Sequence, residues 1–172
     1  MTDATARAWI GGDRGLLPSF ISAMIRASWL CEGAGYTYVA IDDDTGKLVG
    51  ISQWSFLYSD REDQRERGFN DFLQTLSDEG KAYVNGSSQV RAQFCTIMMV
   101  DPEYQRRGIA TALFQLAREK GKETGATMAL STGNEQNIVV YEHIGLTLKG
   151  YKVFNSPWGA WPCWVFSWEQ KE

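Results

Sequence analysis

One histidine and three cysteines in 172 residues narrow the chemistry open to this chain. Cys31, Cys95 and Cys163 are scattered without metal-ligand spacing, and an odd number does not suit a disulfide framework. No metal is expected. Long apolar runs are also missing, and nothing approaches the roughly 20 residues that span a bilayer. The opening MTDATARAWIGGDRG has no basic segment followed by an apolar stretch, so it does not read as a secretory signal. Asn85-Gly86-Ser87 has the form of a glycosylation acceptor, but without such a signal it reads as an Asn-Gly turn. The expectation is a cytoplasmic, reducing compartment with no membrane partner. Excess positive charge is lacking as well. The net charge is −4, whereas a general nucleic-acid binder normally carries a basic face, so no nucleic acid is expected. An acidic surface does tolerate a cationic substrate.

Internal repeats, low-complexity tracts and long linkers are absent too. What is present is 44% hydrophobic and 13% aromatic residues, enough for one globular domain over residues 1–172 with a sizeable core. Leu16 to Trp29 carries Leu17, Phe20, Ile21, Met24 and Ile25 at helical spacing, with Pro18 near the start where its missing N–H does no harm. Tyr36–Ile41 and Leu48–Tyr58 read as a β-hairpin around the polar Asp42–Lys47 connection. The charged stretch SDREDQRERG reads as a loop feeding a helix that holds Phe69, Phe72, Leu73 and Leu76, an insert over residues 59–89. A strand at 92–100, a helix from about Gly108 to Lys122, a strand Thr127–Ser131, a helix Glu135–Ile144 and strands near 146–154 and 163–168 follow. The order αββαβαβαββ, with room for a short strand at the very start, is that of a mixed α/β domain.

The chemistry concentrates where the strand ending at Val100 gives way to DPEYQRRGIA. The first turn of a helix leaves backbone N–H groups unpaired and carries about half a positive charge. A pyrophosphate is a natural guest there. Gly108 lets the backbone approach it, Ala110 keeps the next turn narrow, and Arg106 and Arg107 add charge. The plainer reading is a loop with two solvated arginines. Neither G-x-G-x-x-G after a strand nor G-x-x-x-x-G-K-[ST] occurs, which argues against Rossmann and P-loop sites. Downstream, Ser131-Thr132 ends a strand, Asn134 and Asn137 lead into a helix carrying Tyr141, and Gly145-Leu146 closes it.

Gln105-Arg106-Arg107-Gly108-Ile109-Ala110 resembles the acyl-CoA loop, Q/R-x-x-G-x-G/A, of the GNAT superfamily of N-acetyltransferases. Residues 134–146, N-E-Q-N-I-V-V-Y-E-H-I-G-L, resemble that superfamily's N-x-x-N-x-x-x-Y-E-x-x-G-F segment. The two occur in the expected order, and the close match covers residues 94–150. The resemblance implies a central, mostly antiparallel mixed sheet flanked by helices, and acetyl-CoA as co-substrate. It implies that Met98, Met99 and Val100 offer backbone groups to the pantetheine arm, where one N–H polarises the thioester carbonyl. The loop from Gln105 through Arg106, Arg107, Gly108, Ile109 and Ala110 to Thr111 would hold the pyrophosphate, and Asn134 or Asn137 the pantetheine. Tyr141 would protonate the departing thiolate, since a tyrosine with a pKa of about 10 keeps its proton near neutral pH.

The glutamate that some members of the superfamily place on the strand before the loop has no counterpart in RAQFCTIMMV. A water chain or a carboxylate from residues 60–66 would have to take the amine's proton. His143 lies two positions from Tyr141 and points away on a helix. Cys95 reads as a small core residue, so direct transfer is preferred to an acetyl-enzyme. Trp54, Phe56 and Trp164 are candidates for an acceptor pocket, against the plainer view that such aromatics build the core. The expected activity is transfer of an acetyl group to a primary amine of a small molecule. A protein or peptide amine, or a non-catalytic acyl-CoA-binding module, are the alternatives. A homodimer is allowed by analogy with the superfamily alone.

Overall fold

The computed structural model describes residues 4–56, 62–85 and 93–169. The chain opens with a short helix, α1 (Ala4–Trp9), where the sequence leaves room for a strand. Its Ala8, together with Ile10 just beyond the helix, is buried. Helix α2 (Leu17–Trp29) starts with proline in its first turn, as expected. Its closest face is made of small residues, Ala23, Ala27 and Ser28. The larger Phe20 packs beside them against Phe72, with ring centroids 5.1 Å apart.

Strands β1 (Gly35–Ile41) and β2 (Leu48–Phe56) form the hairpin. The charged segment that follows is helical from Glu62 onward rather than a loop. It comprises α3 (Glu62–Gln64), a kinked stretch at Arg65–Phe69 and α4 (Asn70–Thr75), and then a further helix, α5 (Asp78–Asn85). Its charges stay outside, while Gln64, Phe72 and Leu76 turn inward. Burying Phe72 and Leu76 contributes about 1.5–3 kcal/mol each, more than helical propensity supplies.

Strand β3 (Gln93–Val100), helix α6 (Ile109–Thr124), strand β4 (Met128–Thr132), helix α7 (Ile138–His143) and strands β5 (Thr147–Phe154) and β6 (Trp161–Trp168) complete the described chain. The six strands form one sheet in the order β1-β2-β3-β4-β6-β5. Only β3 and β4 pair in parallel; the other neighbours are antiparallel. On one face, α6 and α7 cover a core of Trp54, Phe114, Met128, Leu130, Ile144 and Phe166. On the other, Ile10, Ala23, Phe72 and Leu76 gather α1, α2 and α4. Ala8, Trp161 and Cys163 form a smaller cluster with Tyr83 of α5.

Candidate active site

The central strands part company soon after they meet. β3 pairs with β4 only through Gln93↔Met128 and Phe94↔Ala129. Beyond those residues, among the described residues, β3 is paired with β2 alone and β4 with β6 alone. A bulge contributes to the separation. Gln53 faces Ile97 while its neighbour Trp54 faces Cys95, so Thr96 is an extra residue on β3, and an extra residue bends the strand that carries it. The result is a wedge-shaped gap at the carboxyl ends of two parallel strands, each followed by a helix. In open α/β sheets such a crevice is where ligands bind.

One lip of the gap is bare strand edge. Asp101 N–H donates to the Val49 carbonyl, just before β2's central stretch, 2.9 Å away. Backbone groups alternate along a strand, so Met99 also turns toward β2, and the N–H groups of Met98 and Val100 turn toward the gap. The Val100 carbonyl on that side already accepts from Gln105 Nε2 at 3.2 Å, which ties the following loop to the strand end. Met98 packs its side chain against the core, whereas the Met99 side chain is exposed.

Above that edge lies the loop. Arg106 sits in the left-handed region at φ 61, a position that non-glycine residues seldom occupy. Gly108 is left-handed too, at φ 80, and precedes α6 directly. A Cβ at Gly108 would meet no atom within 4 Å, so it is the backbone angle that asks for glycine there. No described side chain caps α6, which leaves the N–H groups of Ile109, Ala110 and Thr111 pointing out of the helix. Arg106 and Arg107 are exposed beside them. Arg107 has a further engagement: its Nη2 donates to the Glu103 carbonyl at 2.9 Å, and its guanidinium lies 4.7 Å from the Tyr104 ring centroid.

The other lip is built around Thr132, whose anchoring role no sequence motif marks. Its Oγ1 accepts from Asn134 N–H at 3.0 Å and from Asn137 Nδ2 at 3.1 Å. Asn134 spends its side-chain oxygen on Gln136 N–H, also 3.0 Å away. Asn137 in turn reaches Tyr141. The Tyr141 ring packs edge-on against Phe166 at 5.4 Å. Burial pushes its hydroxyl pKa up to about 12; Cys95 adds to the rise, and the Asn137 hydrogen bond opposes it. Cys95 is the first residue of β3 past the last pair with β4, and Tyr141 packs against the cluster that contains it, beside the apex of the gap. The phenol therefore keeps its proton near neutral pH.

Cys95 itself is buried, and burial pushes its thiol far above the usual range, with Sγ donating to the Ile97 carbonyl at 3.3 Å. It is unsuited to act as a thiolate nucleophile. His143 is exposed. Of the aromatic candidates, Trp54 is completely buried against Phe114, 5.9 Å between ring centroids, and presents no surface to an acceptor. It lies under α6 in the core. Trp164 is partly buried and its ring packs at a tilt against Tyr151 of the edge strand, 5.0 Å between centroids. The Phe56 side chain lies outside the described residues, as do Tyr58, Asp60 and Arg61. The remaining carboxylates of 60–66 sit beside α2. Gln64 Nε2 donates to the Ala27 carbonyl, near the end of α2 that leads into β1, and β1 begins where the sheet is closed. Among the described residues no group of three or more His, Cys, Asp or Glu side chains could hold a metal ion, and no helix is long and apolar enough to cross a membrane.

The site is thus a split mixed sheet, with the start of α6 on one lip and Tyr141 beside the apex. The sequence matches the profile of the acetyltransferase (GNAT) family over residues 18–146, and the chain belongs to that family. Among solved structures it is similar to a candidate streptothricin acetyltransferase from Bacillus anthracis str. Ames in complex with acetyl coenzyme A. The TM-score is 0.54 and the identity 14%, covering 81% of this chain and 65% of that one. It is also similar to nourseothricin acetyltransferase, with a TM-score of 0.53 and 23% identity over 80% of this chain and 66% of the other. The ribosomal-protein-S18-alanine N-acetyltransferase from Escherichia coli gives a TM-score of 0.52 and 14% identity, covering 89% and 76%. The chain thus spans slightly less than two thirds of the first two proteins. Among curated proteins none matches it.

Proposed function

We propose that this protein transfers an acetyl group from acetyl-CoA directly to a primary amine of a small molecule. What carries the proposal is the convergence on one gap of an unpaired strand edge, an uncapped cationic helix start and a tyrosine that keeps its proton. The edge at Met98 and Val100 suits an extended amide-containing arm, which can add to a strand through main-chain hydrogen bonds. The N–H groups of Ile109, Ala110 and Thr111, with Arg106, suit a pyrophosphate. Acetyl-CoA supplies an activated acyl group as a thioester.

In the step itself the amine nitrogen forms a bond to the thioester carbonyl carbon. A strand-edge N–H is positioned to stabilise the oxygen that gains charge. The carbon–sulfur bond then breaks, and the thiolate takes the Tyr141 proton. The amine's proton leaves to water, and Tyr141 is restored from solvent. No acetyl-enzyme is needed, in keeping with the buried, protonated Cys95.

The acceptor is read as a compact amine rather than an extended peptide. On the face away from α6, Trp158 of the β5–β6 loop lies so close to the turn after α1 that a Cβ at Gly12 would come within 3 Å of its indole. Tyr83 of α5 meets Trp158 edge-on at 6.2 Å and accepts a hydrogen bond from Trp161 Nε1 at 3.1 Å. These contacts hold the β5–β6 loop against α5 and the turn after α1. A net charge of −4 suits a protonated amine arriving from solution.

The test is CoA release from acetyl-CoA across a panel of free amines and short peptides, repeated with Tyr141→Phe. The expected outcome is release with free amines, and a fall in kcat of about 100-fold in the variant with acetyl-CoA affinity unchanged. Release with peptides alone would replace the acceptor class. Acetyl-CoA binding without turnover across the panel would favour a binding module.

A further inference from the structure

Lys47 closes the β1–β2 turn, far along the chain from the loop that follows β3, yet the two meet in space. The Lys47 Nζ stands 2.9 Å from Asp101 Oδ2 and 3.6 Å from Glu103 Oε2. It also lies 5.4 Å from the centroid of the Tyr104 ring, which holds the Arg107 guanidinium at 4.7 Å as well. The turn that presents Lys47 is braced from within. Asp42 Oδ1 accepts from Thr45 N–H at 2.9 Å, and Asp42 N–H donates to the Lys47 carbonyl at 2.9 Å.

Exposed ion pairs add little to folding stability, and Glu103 is 80% exposed. The cluster makes better sense through what it neutralises. Asp101 and Glu103 put two negative charges at the start of a loop that has to receive an anion. One oxygen of Asp101 is bound to Glu103 N–H at 2.9 Å, and Lys47 compensates the other. We propose that Lys47 is a positioning residue, a clasp that offsets the charge of Asp101 and Glu103 and holds Tyr104 and Arg107 so that the loop accepts the phosphates of the thioester. The proposal rests on the reading of this loop as the pyrophosphate site.

The experiment compares acetyl-CoA with S-acetyl-pantetheine, which lacks the phosphates, in wild type, Lys47→Met and Lys47→Arg. Binding is read by calorimetry and turnover by thiol release. Lys47→Met is expected to weaken acetyl-CoA binding and raise its KM about five- to tenfold, with kcat, the S-acetyl-pantetheine parameters and the thermal midpoint unchanged. Lys47→Arg is expected to restore affinity, since it keeps the cation and the ring contact. Equal losses with both thioesters, a loss in kcat alone, or no change with acetyl-CoA would each overturn the clasp. Wild-type protein that binds neither thioester would overturn the pyrophosphate reading along with it. Wild-type binding that Lys47→Met leaves intact would overturn the clasp alone.

Discussion

Arg106 is held in a left-handed conformation at φ 61, which costs a non-glycine residue about 1–2 kcal/mol. Glycine would relieve that strain, but its greater freedom in the unfolded chain costs about 0.5–1 kcal/mol. The strain outweighs the entropy by about 0.5–1 kcal/mol. Arg106→Gly should therefore raise the thermal midpoint slightly while acetyl-CoA affinity falls about tenfold, the scale of one charge-assisted hydrogen bond. Calorimetry and a melting curve on the same sample separate the two. Unchanged affinity would mean that this arginine does not meet the phosphates. Tyr141 is tuned to keep a proton rather than to take one. With its pKa raised from 10.0 to about 12, it remains a proton donor at every pH an assay commonly reaches. The pH profile of kcat/KM should rise as the amine loses its proton and show no falling limb from Tyr141 below about pH 11. A falling limb below that pH which disappears in Tyr141→Phe would mean that burial does not hold the phenol's proton as tightly as that.

At the scale of elements, the placement of α6 depends on one close approach. A Cβ at Gly50 would lie 2.8 Å from Ile109 Cγ2 and 3.2 Å from Leu113 Cδ1, so the strand carries the helix start directly on its backbone. Gly50→Ala should push that start outward. The expected cost is about 1–3 kcal/mol of stability, together with a raised KM for acetyl-CoA because the N–H groups of Ile109 to Thr111 move with the helix. Denaturant unfolding and steady-state kinetics check both, and a stability loss with unchanged KM would show that the helix start does not shift. Residues 94–146 are the most legible part of the chain because their strands, turns and helices are short units with their own local signals. Gln105 and Gly108 lie between β3 and α6, Asn137 just before α7 and Tyr141 within it. The bulge at Thr96 and the anchor at Thr132 depend on partners in other elements and leave weaker marks. The stretch after residue 61 misleads because its charges suggest a loop, while Phe72 and Leu76 are enough to fold it against α2. Trp54 misleads for a related reason: alternation tells which residues share a face, not that α6 covers that face.

For the molecule as a whole, the sheet face under α6 and α7 shelters two phenols that resist ionisation. Burial raises the pKa of Tyr36, helped by Tyr38 and Cys95, and Tyr36 Oη donates to the Ala117 carbonyl at 3.4 Å. Burial likewise raises Tyr141 to about 12. In the unfolded chain both ionise near 10.0. Below about pH 10 both states keep these protons, and the contribution to stability is fully present. As pH rises toward 12 the unfolded chain sheds protons that the folded chain retains, so stability falls, by on the order of 1 kcal/mol per pH unit for each tyrosine. Alkaline titration should therefore show the ionisation of these two tyrosines delayed and arriving together with loss of secondary structure. Replacing Tyr36 by Phe removes one of the two titrations, and unfolding should then move to higher pH even though the lost Ala117 bond costs some stability at neutral pH. Tyrosinate absorbance and circular dichroism, recorded on the same samples, distinguish the outcomes. Early ionisation of every tyrosine with the fold intact would mean that this face is open to water, and the wedge between β3 and β4 would then lack the dry apex that keeps Tyr141 protonated.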